Sequence, residues 1–497
     1  MDYLIDQVSW IPSAWKPTLK SKAMATIAWG DWFCGLRNPV EILEMHTSYF
    51  FNEYVFYVCG IVTFVHAWRR GNRYWYTYLG IILHGTYHCF LLFMVPSLSN
   101  YQRNLLTYWV PDFENFWHAQ TSLMFLGRRL PLHIVLLYPI FDYTATIAAK
   151  KLQLPWWAEG CAVGLGAVLI DLPYDIMGAK LVWWTWHDTD PNVLDRMYHV
   201  PWTSYYFHAA FGCAFTLLLN GSRKLLLPEY YDWRLIGREL LCCIIAAAGA
   251  FWLGALQFVP IYHYFHDIYG IHTEVCCVVF LSIYGLIVWT ADRKRVLEKQ
   301  TMTSYKNLNE PINEVAESDN DDDDGGVDDG DKISTQTTYG LGSGSNNSLL
   351  WFDELFVMLF VYYLFFVVLV WVADPASIIS VGLHEPVGRC GPTVPVQTVS
   401  GLTLSKRQFL CLASYDEPTF DFHCTKPPKL SDVAGRSVEW YSICGTPFNN
   451  HVEYIFLISA ICSFGLYVYY QWMSTGPLPI VQCFSPSRRE KREKKEQ

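Results

Sequence analysis

The chain returns repeatedly to mostly apolar runs of about 19 residues, each long enough to cross a hydrocarbon core of ~30 Å as a helix. They fall near Tyr49–Ala67, Trp75–Phe93, Leu130–Ala149, Trp157–Ala179, Ser204–Leu219, Leu241–Val259, Ile271–Trp289, Trp351–Val372 and Tyr454–Trp472. The expectation is an all-α polytopic membrane protein with nine transmembrane helices. Composition agrees, since 52% hydrophobic and 17% aromatic residues against 16% charged is too apolar for an average soluble domain. If Asp112–Leu126, "DFENFWHAQTSLMFL", also crosses, the count becomes ten. Its Asp112, Glu114, Asn115, His118 and Gln120 point instead to an outer-surface or partly inserted helix.

Charge sets the expected orientation. The formal net charge of −10 is concentrated between Glu310 and Asp331, where eleven acids stand without a base, so the remainder is nearly neutral. With nine spans, Arg69, Arg70 and Arg73, Lys150 and Lys151, Arg223 and Lys224, Arg234 and Arg238, the group around Arg293 and the Arg488–Lys495 tail all fall on one side. Basic residues beside spans mark the cytosolic face, which puts the N-terminus outside or in a lumen and the C-terminus in the cytosol, at the plasma membrane or an endomembrane. Ten spans would invert the N-terminal half. No cleavable signal peptide is read in residues 1–48, so the first span serves as insertion signal. The acceptor triplets at Asn220 and Asn346 then lie inside and stay unglycosylated. The bilayer is the expected partner, and no nucleic acid is expected.

The organisation follows: an N-terminal amphipathic or interfacial segment (1–48), a membrane core of seven spans (49–290), an acidic linker (291–348), a span (349–373), an extracytosolic segment (374–451), a last span (452–473) and a basic tail (474–497). The linker is too polar and Gly/Ser-rich to bury a core, is read as disordered, and is a candidate docking site for a cytosolic partner. It separates the core from a two-span annex. In the Pro-rich, loop-like 374–451 segment, Cys390, Cys411, Cys424 and Cys444 form an even set on the oxidising side, which favours two disulfides of open pairing.

Ionisable groups in hydrocarbon are costly and are by default functional-site candidates. Glu53, His88, Asp171, Asp175 and His208 share the outer half of their spans, and His84 and Asp142 lie nearer the middle. In "DLPYD", Asp171 and Asp175 are one turn apart on one face, with Pro173 between them expected to kink the helix. Two close carboxylates in low dielectric cannot both ionise easily, so one can serve as general acid and the other as base. The "HGTYH" stretch places His84 and His88 on one face. They read either as hydrogen-bonding or proton-relay groups facing the carboxylates or as two zinc ligands completed by His118 or His208. Residues 187–208 add His187 and Asp188 as catalytic candidates within a polar connector. Trp183, Trp184 and Trp186 are expected at the interface as aromatic anchors, and Trp184, Trp186, His208 and His118 are candidate substrate contacts. No cofactor is firmly implied; zinc is the one alternative.

Residues 115–215 resemble carotenoid biosynthesis membrane proteins of the hydratase type, in which a helix with two aspartates leads into Trp-x-Trp and then Val-Pro. The matching positions are Asp171, Asp175, Trp184, Trp186, Val200 and Pro201, and "LGRRLPLHIVLLYP" at 126–139 is similar to that family's turn before a Pro-started helix. Ser204, Tyr205 and His208 depart from its pattern. The core as a whole, with "HDTDPN" and "VPWTSYYFHAAFG", more closely resembles an uncharacterised animal multipass membrane family. Whether the protein is an enzyme stays open. The first reading is a lyase or hydratase-like enzyme acting on a lipid or isoprenoid at an outward-facing site, with Asp171 or Asp175 protonating the substrate and Glu53, His88 or His187 in supporting roles. The alternatives are a transporter or receptor-like protein using the same cavity for ligand or protons, and a zinc-dependent lipid amidase.

Overall fold

The computed structural model describes residues 29–94, 116–186, 194–309, 353–397, 402–415, 417–425 and 437–474. After a short α1 (Pro39–Met45), the described residues form nine long helices: α2 (Thr47–Arg70), α3 (Asn72–Met94), α4 (Leu132–Lys151), α5 (Trp156–Lys180), α6 (Trp202–Leu226), α7 (Ile236–Phe258), α8 (Thr273–Asn309), α9 (Glu354–Val372) and α10 (His451–Ser474). Among the described residues, seven of these are long and apolar enough to cross a membrane: α2, α4, α5, α7, α8, α9 and α10. The protein is a mostly helical membrane protein. α6 falls short of that apolarity because it is the interior helix, packed against α5, α7 and α8, and it carries Thr203, Ser204, Thr216 and Arg223 buried within protein rather than lipid. A helix shielded by other helices can hold polar groups that a lipid-facing one cannot.

Ion pairs gather the helix ends at one pole. Glu239 at the start of α7 receives Arg73 and Arg223, each at 2.9 Å. Asp353 caps α9 by accepting from the Leu355 N–H (3.1 Å) and pairs with Lys151 at 2.9 Å. Fixing both backbone and charge in this way ties α9 to the core. Consequently α9 and α10 do not form a separate annex. α9 packs on α2, α5 and α10, and its Tyr362 and Tyr363 hydroxyls donate to the Ile170 and Leu169 carbonyls at 2.9 and 3.0 Å. The reason lies at Pro173 in α5. Proline has no N–H to offer the carbonyl four residues earlier, so Leu169 takes its donor from Tyr363.

The opposite pole is a cap of short strands. β1 (Cys34–Leu36) pairs with β3 (Leu123–Phe125), which pairs with β4 (Leu130–Pro131), while β2 (Phe116–His118) runs antiparallel to β5 (Trp184–Trp186). β6 (Arg196–Met197) and β7 (Val200–Pro201) form a tight hairpin. Between α9 and α10, β8 (Ile379–Val387), β9 (Thr393–Gln397), β10 (Thr403–Arg407), β11 (Phe420–Asp421) and β12 (Val438–Gly445) make a three-stranded sheet, β11-β12-β8, and the β9–β10 ribbon. The Gln120 N–H donates to the Val381 carbonyl at 2.9 Å, joining this sheet to the β2–β3 segment.

Four expectations change. The described part of 112–126 is strand rather than surface helix, because its backbone groups find partners in β1, β4 and β5. The 374–451 segment is a sheet stapled by Cys390–Cys411 and Cys424–Cys444 rather than loop, so the purely all-α reading gives way to a helical bundle with a β cap. α8 runs on to Asn309, well into the stretch read as linker. Trp183, Trp184 and Trp186 are buried beneath the cap instead of lying at an interface. The segments 1–28, 310–352 and 475–497 lie outside the described residues.

Candidate functional site

The site begins with two glycines. A Cβ on Gly164 would lie 2.3 Å from the Ala209 carbonyl oxygen, and one on Gly160 2.8 Å from that of Cys213. Only glycine admits so close a backbone, and small residues four apart are a common way for membrane helices to approach. α5 and α6 therefore run antiparallel in contact. Further along, the same pairing brings Asp171 opposite His208 and Asp175 opposite Ser204, each helix contributing residues one turn apart on one face.

The contacts are direct. His208 Nε2 stands 3.4 Å from Asp171 Oδ1, and the Ser204 hydroxyl donates to Asp175 Oδ2 at 2.8 Å. One ligand-type atom from each of Asp171, Asp175 and His208 falls within 4.8 Å of the other two. Both carboxylates are buried, at 0% and 3% exposure, whereas the His208 side chain is 27% exposed. Access to the carboxylates thus lies past the imidazole. Asp142 joins from α4, which widens into a π-helical turn at Pro139–Tyr143, a distortion frequent at functional sites. Its Oδ1 would sit 3.2 Å from a Cβ on Gly212, one turn beyond His208.

The HGTYH pair forms the next wall. His84 and His88 meet edge to face with ring centroids 5.2 Å apart, and His88 packs on Phe211 at 4.3 Å beside His208. His84 Nδ1 donates to the Ala247 carbonyl at 3.2 Å. His84, His88, His208, Asp171, Asp175 and Ser204 form a polar line through an otherwise aromatic interior.

Other candidates lie elsewhere. Glu53 is occupied by Ser122, through its hydroxyl at 2.8 Å and its N–H at 3.2 Å, and by the Tyr57 hydroxyl at 2.6 Å. It fastens α2 to the cap. His118 lies in β2, with Nδ1 3.5 Å from the Tyr49 hydroxyl and its ring 6.0 Å from Trp184, so it completes no ligand set with His84 and His88. Burial holds its imidazole far below the usual range, aided by His133 and Arg129. Trp184 roofs the carboxylate helix, its ring 4.8 Å from that of Tyr174 and seated where a Cβ on Gly178 would be only 2.1 Å away. Trp186 meets Trp184 edge-on at 5.7 Å. His187 and Asp188 lie outside the described residues. Of the rest of the connector, Asp195 accepts from the Thr273 N–H at 2.9 Å and meets His272 at 3.2 Å, which locks the cap to α8. Asp421, His423 and Cys444 also cluster, but the Cys444 sulfur is bonded to Cys424. Sequence reasoning placed Asp142 among the intramembrane acids but did not single out Ser204; the four-residue spacing of Ser204 and His208, mirroring that of Asp171 and Asp175, was the available signal.

A family model described as a domain of unknown function, DUF7802, matches residues 1–317 and 335–474. The chain belongs to this family. The match takes in the bundle and the cap together and passes over 318–334, which includes most of the acidic run. No curated protein and no solved structure matches the chain.

Proposed function

We propose that this DUF7802 protein is an intramembrane acid–base enzyme acting on a lipid-soluble substrate, lyase or hydratase-like in chemistry. The observation that carries the reading is the box of Asp171, Asp175, His208 and Ser204, with both carboxylates buried inside the bundle and His208 at its opening. Two adjacent carboxylates in a low-dielectric interior share a proton more readily than they both ionise, which gives one acid and one base for a single substrate. His208, the exposed member, relays the proton or orients water, and the buried faces of Trp184 and Tyr174 stabilise developing positive charge. Glu53 is structural in this scheme. A polar line as long as that from His84 to Ser204 also suits proton movement, and this favours a transporter as the second reading.

The bundle is proposed to cross the membrane nine times, with α3 and α6 completing the set. Its ion-paired pole faces the cytosol and its disulfide-stapled cap faces outward, leaving the N-terminus outside and the C-terminus inside. The test compares lipid profiles of membranes carrying wild type or Asp171→Asn/Asp175→Asn at matched folded levels. A lipid altered only by the wild type supports the enzyme. Identical profiles, with proton flux in liposomes abolished by the same substitutions, would replace it with the transporter.

A further inference from the structure

Among the described residues, the bundle neutralises its buried carboxylates in different ways. Glu239 is met by two guanidiniums, those of Arg73 and Arg223. Asp353 has Lys151. Lys180, the cation at the outer end of the helix that carries Asp171 and Asp175, turns to Thr446 Oγ1 at 3.3 Å and the Pro447 carbonyl at 3.0 Å. These basic side chains are thus engaged elsewhere, and the box presents two carboxylates and one imidazole, with the Asp142 carboxyl at its edge beside Gly212. Together with a neutral imidazole, two carboxylates balance a divalent cation, which removes the cost of uncompensated charge in the membrane interior.

Geometry and donor type agree. A four-coordinate zinc ion with bonds of ~2.0–2.2 Å holds its ligands roughly 3.3–3.6 Å apart, and the Asp171–His208 separation is already 3.4 Å. The remaining distances, all under 4.8 Å, close by rotation of carboxylates about their own side-chain bonds. The Ser204 hydroxyl on Asp175 supplies the outer hydrogen bond that orients a ligating carboxylate. A further polar group faces the same place: the buried Tyr205 hydroxyl lies near both carboxylates and, among the described residues, has no hydrogen-bond partner. An oxygen-rich set with one nitrogen suits first-row divalent ions.

We infer that Asp171, Asp175 and His208 form a binding site for a divalent transition-metal ion, zinc being the first to assay. The inference shares residues with the acid–base reading but is read out separately, as metal content rather than turnover. The full-length protein is purified in detergent, stripped with chelator, exposed to zinc at one equivalent, desalted and analysed for metal, alongside Asp171→Asn, His208→Ala and, as a control at the cap cluster, His423→Gln. Near-stoichiometric zinc in wild type and His423→Gln, with a tenfold or greater loss in the other two, is the expected result. Against misfolding, His208→Cys is loaded with cobalt: a new thiolate-to-cobalt absorption band, missing from cobalt-loaded wild type, places the ion on residue 208. Equal zinc in wild type and Asp171→Asn, or folded His208→Cys without that band, overturns the site. Lipid turnover by a protein that takes up no zinc would overturn the metal site and keep the enzyme; stoichiometric zinc lost in the variants, without any lipid change, would do the reverse.

Discussion

At the scale of single residues, Pro173 shows how one side chain dictates the choice of another on a distant helix. The carbonyl it leaves without a helical donor, Leu169, accepts from Tyr363 at 3.0 Å. Tyr363→Phe should therefore cost about 1 kcal/mol, typical of a net hydrogen bond. In a Pro173→Ala background the restored N–H takes over, and the same substitution should become nearly neutral. Thermal unfolding of the four proteins in one detergent measures the coupling; equal losses in both backgrounds would disprove the compensation. The proline and the aspartate pair were readable directly from "DLPYD". Tyr363 was not, because nothing in the periodicity of an apolar helix says which of its tyrosines meets a freed carbonyl far away in sequence. Gly164 makes the same point more severely. Adding a methyl group 2.3 Å from the Ala209 carbonyl forces α5 from α6, so Gly164→Ala should destabilise the bundle by about 1–3 kcal/mol. It should also lower the lipid turnover proposed for the box more than Gly237→Ala, whose added methyl meets only open space.

Among the elements, the long helices were legible because apolar length is a property of the local chain, though α8 runs on past the apolar stretch to Asn309. The cap was not, because its strands are two to nine residues long and pair across large sequence separations, as Phe116 does with Trp186. Its stability is expected to be pH-dependent. His384 is buried in β8 with its ring 4.9 Å from Tyr441, and burial pushes its imidazole down to about 3. His46, against the Val182 carbonyl, is pushed down to about 4 by burial, as is His199 by burial and then the nearby Lys180 and Arg196. The unfolded chain binds these protons near pH 6.5 and the folded cap refuses them, so stability is complete above about 6.5 and declines as pH falls toward the folded values. Between pH 6.5 and 5, each such group contributes a loss of about 2 kcal/mol. His384→Gln should flatten that part of the profile, measured as the pH dependence of the unfolding temperature; an unchanged slope would show that His384 is not among the groups responsible. Removing the Cys424–Cys444 bridge, which closes a separation of 20 residues, should cost about 2–4 kcal/mol and expose the cap to protease.

For the molecule as a whole, the site owes its position to three regions distant in sequence. α5 and α6 supply the box, α9 supplies the tyrosines that hold α5 at its proline, and the cap presses Trp184 onto Tyr174 above the carboxylates. The family match covers both flanks of the acidic run and omits 318–334. Orientation then determines which compartment the box opens toward. If the ion-paired pole is cytosolic, the cap meets an oxidising compartment, consistent with its two disulfides. An acceptor for glycosylation tests this directly. Thr398→Asn creates a triplet with Val399 and Ser400 between β9 and β10, and on an outward cap it should raise the apparent mass in a glycosidase-sensitive manner, while the native triplets at Asn220 and Asn346 stay unmodified. Modification at Asn220 instead would invert the bundle and turn the His208 approach toward the cytosol, so that any lipid reaching Asp171 and Asp175 would have to come from the inner leaflet.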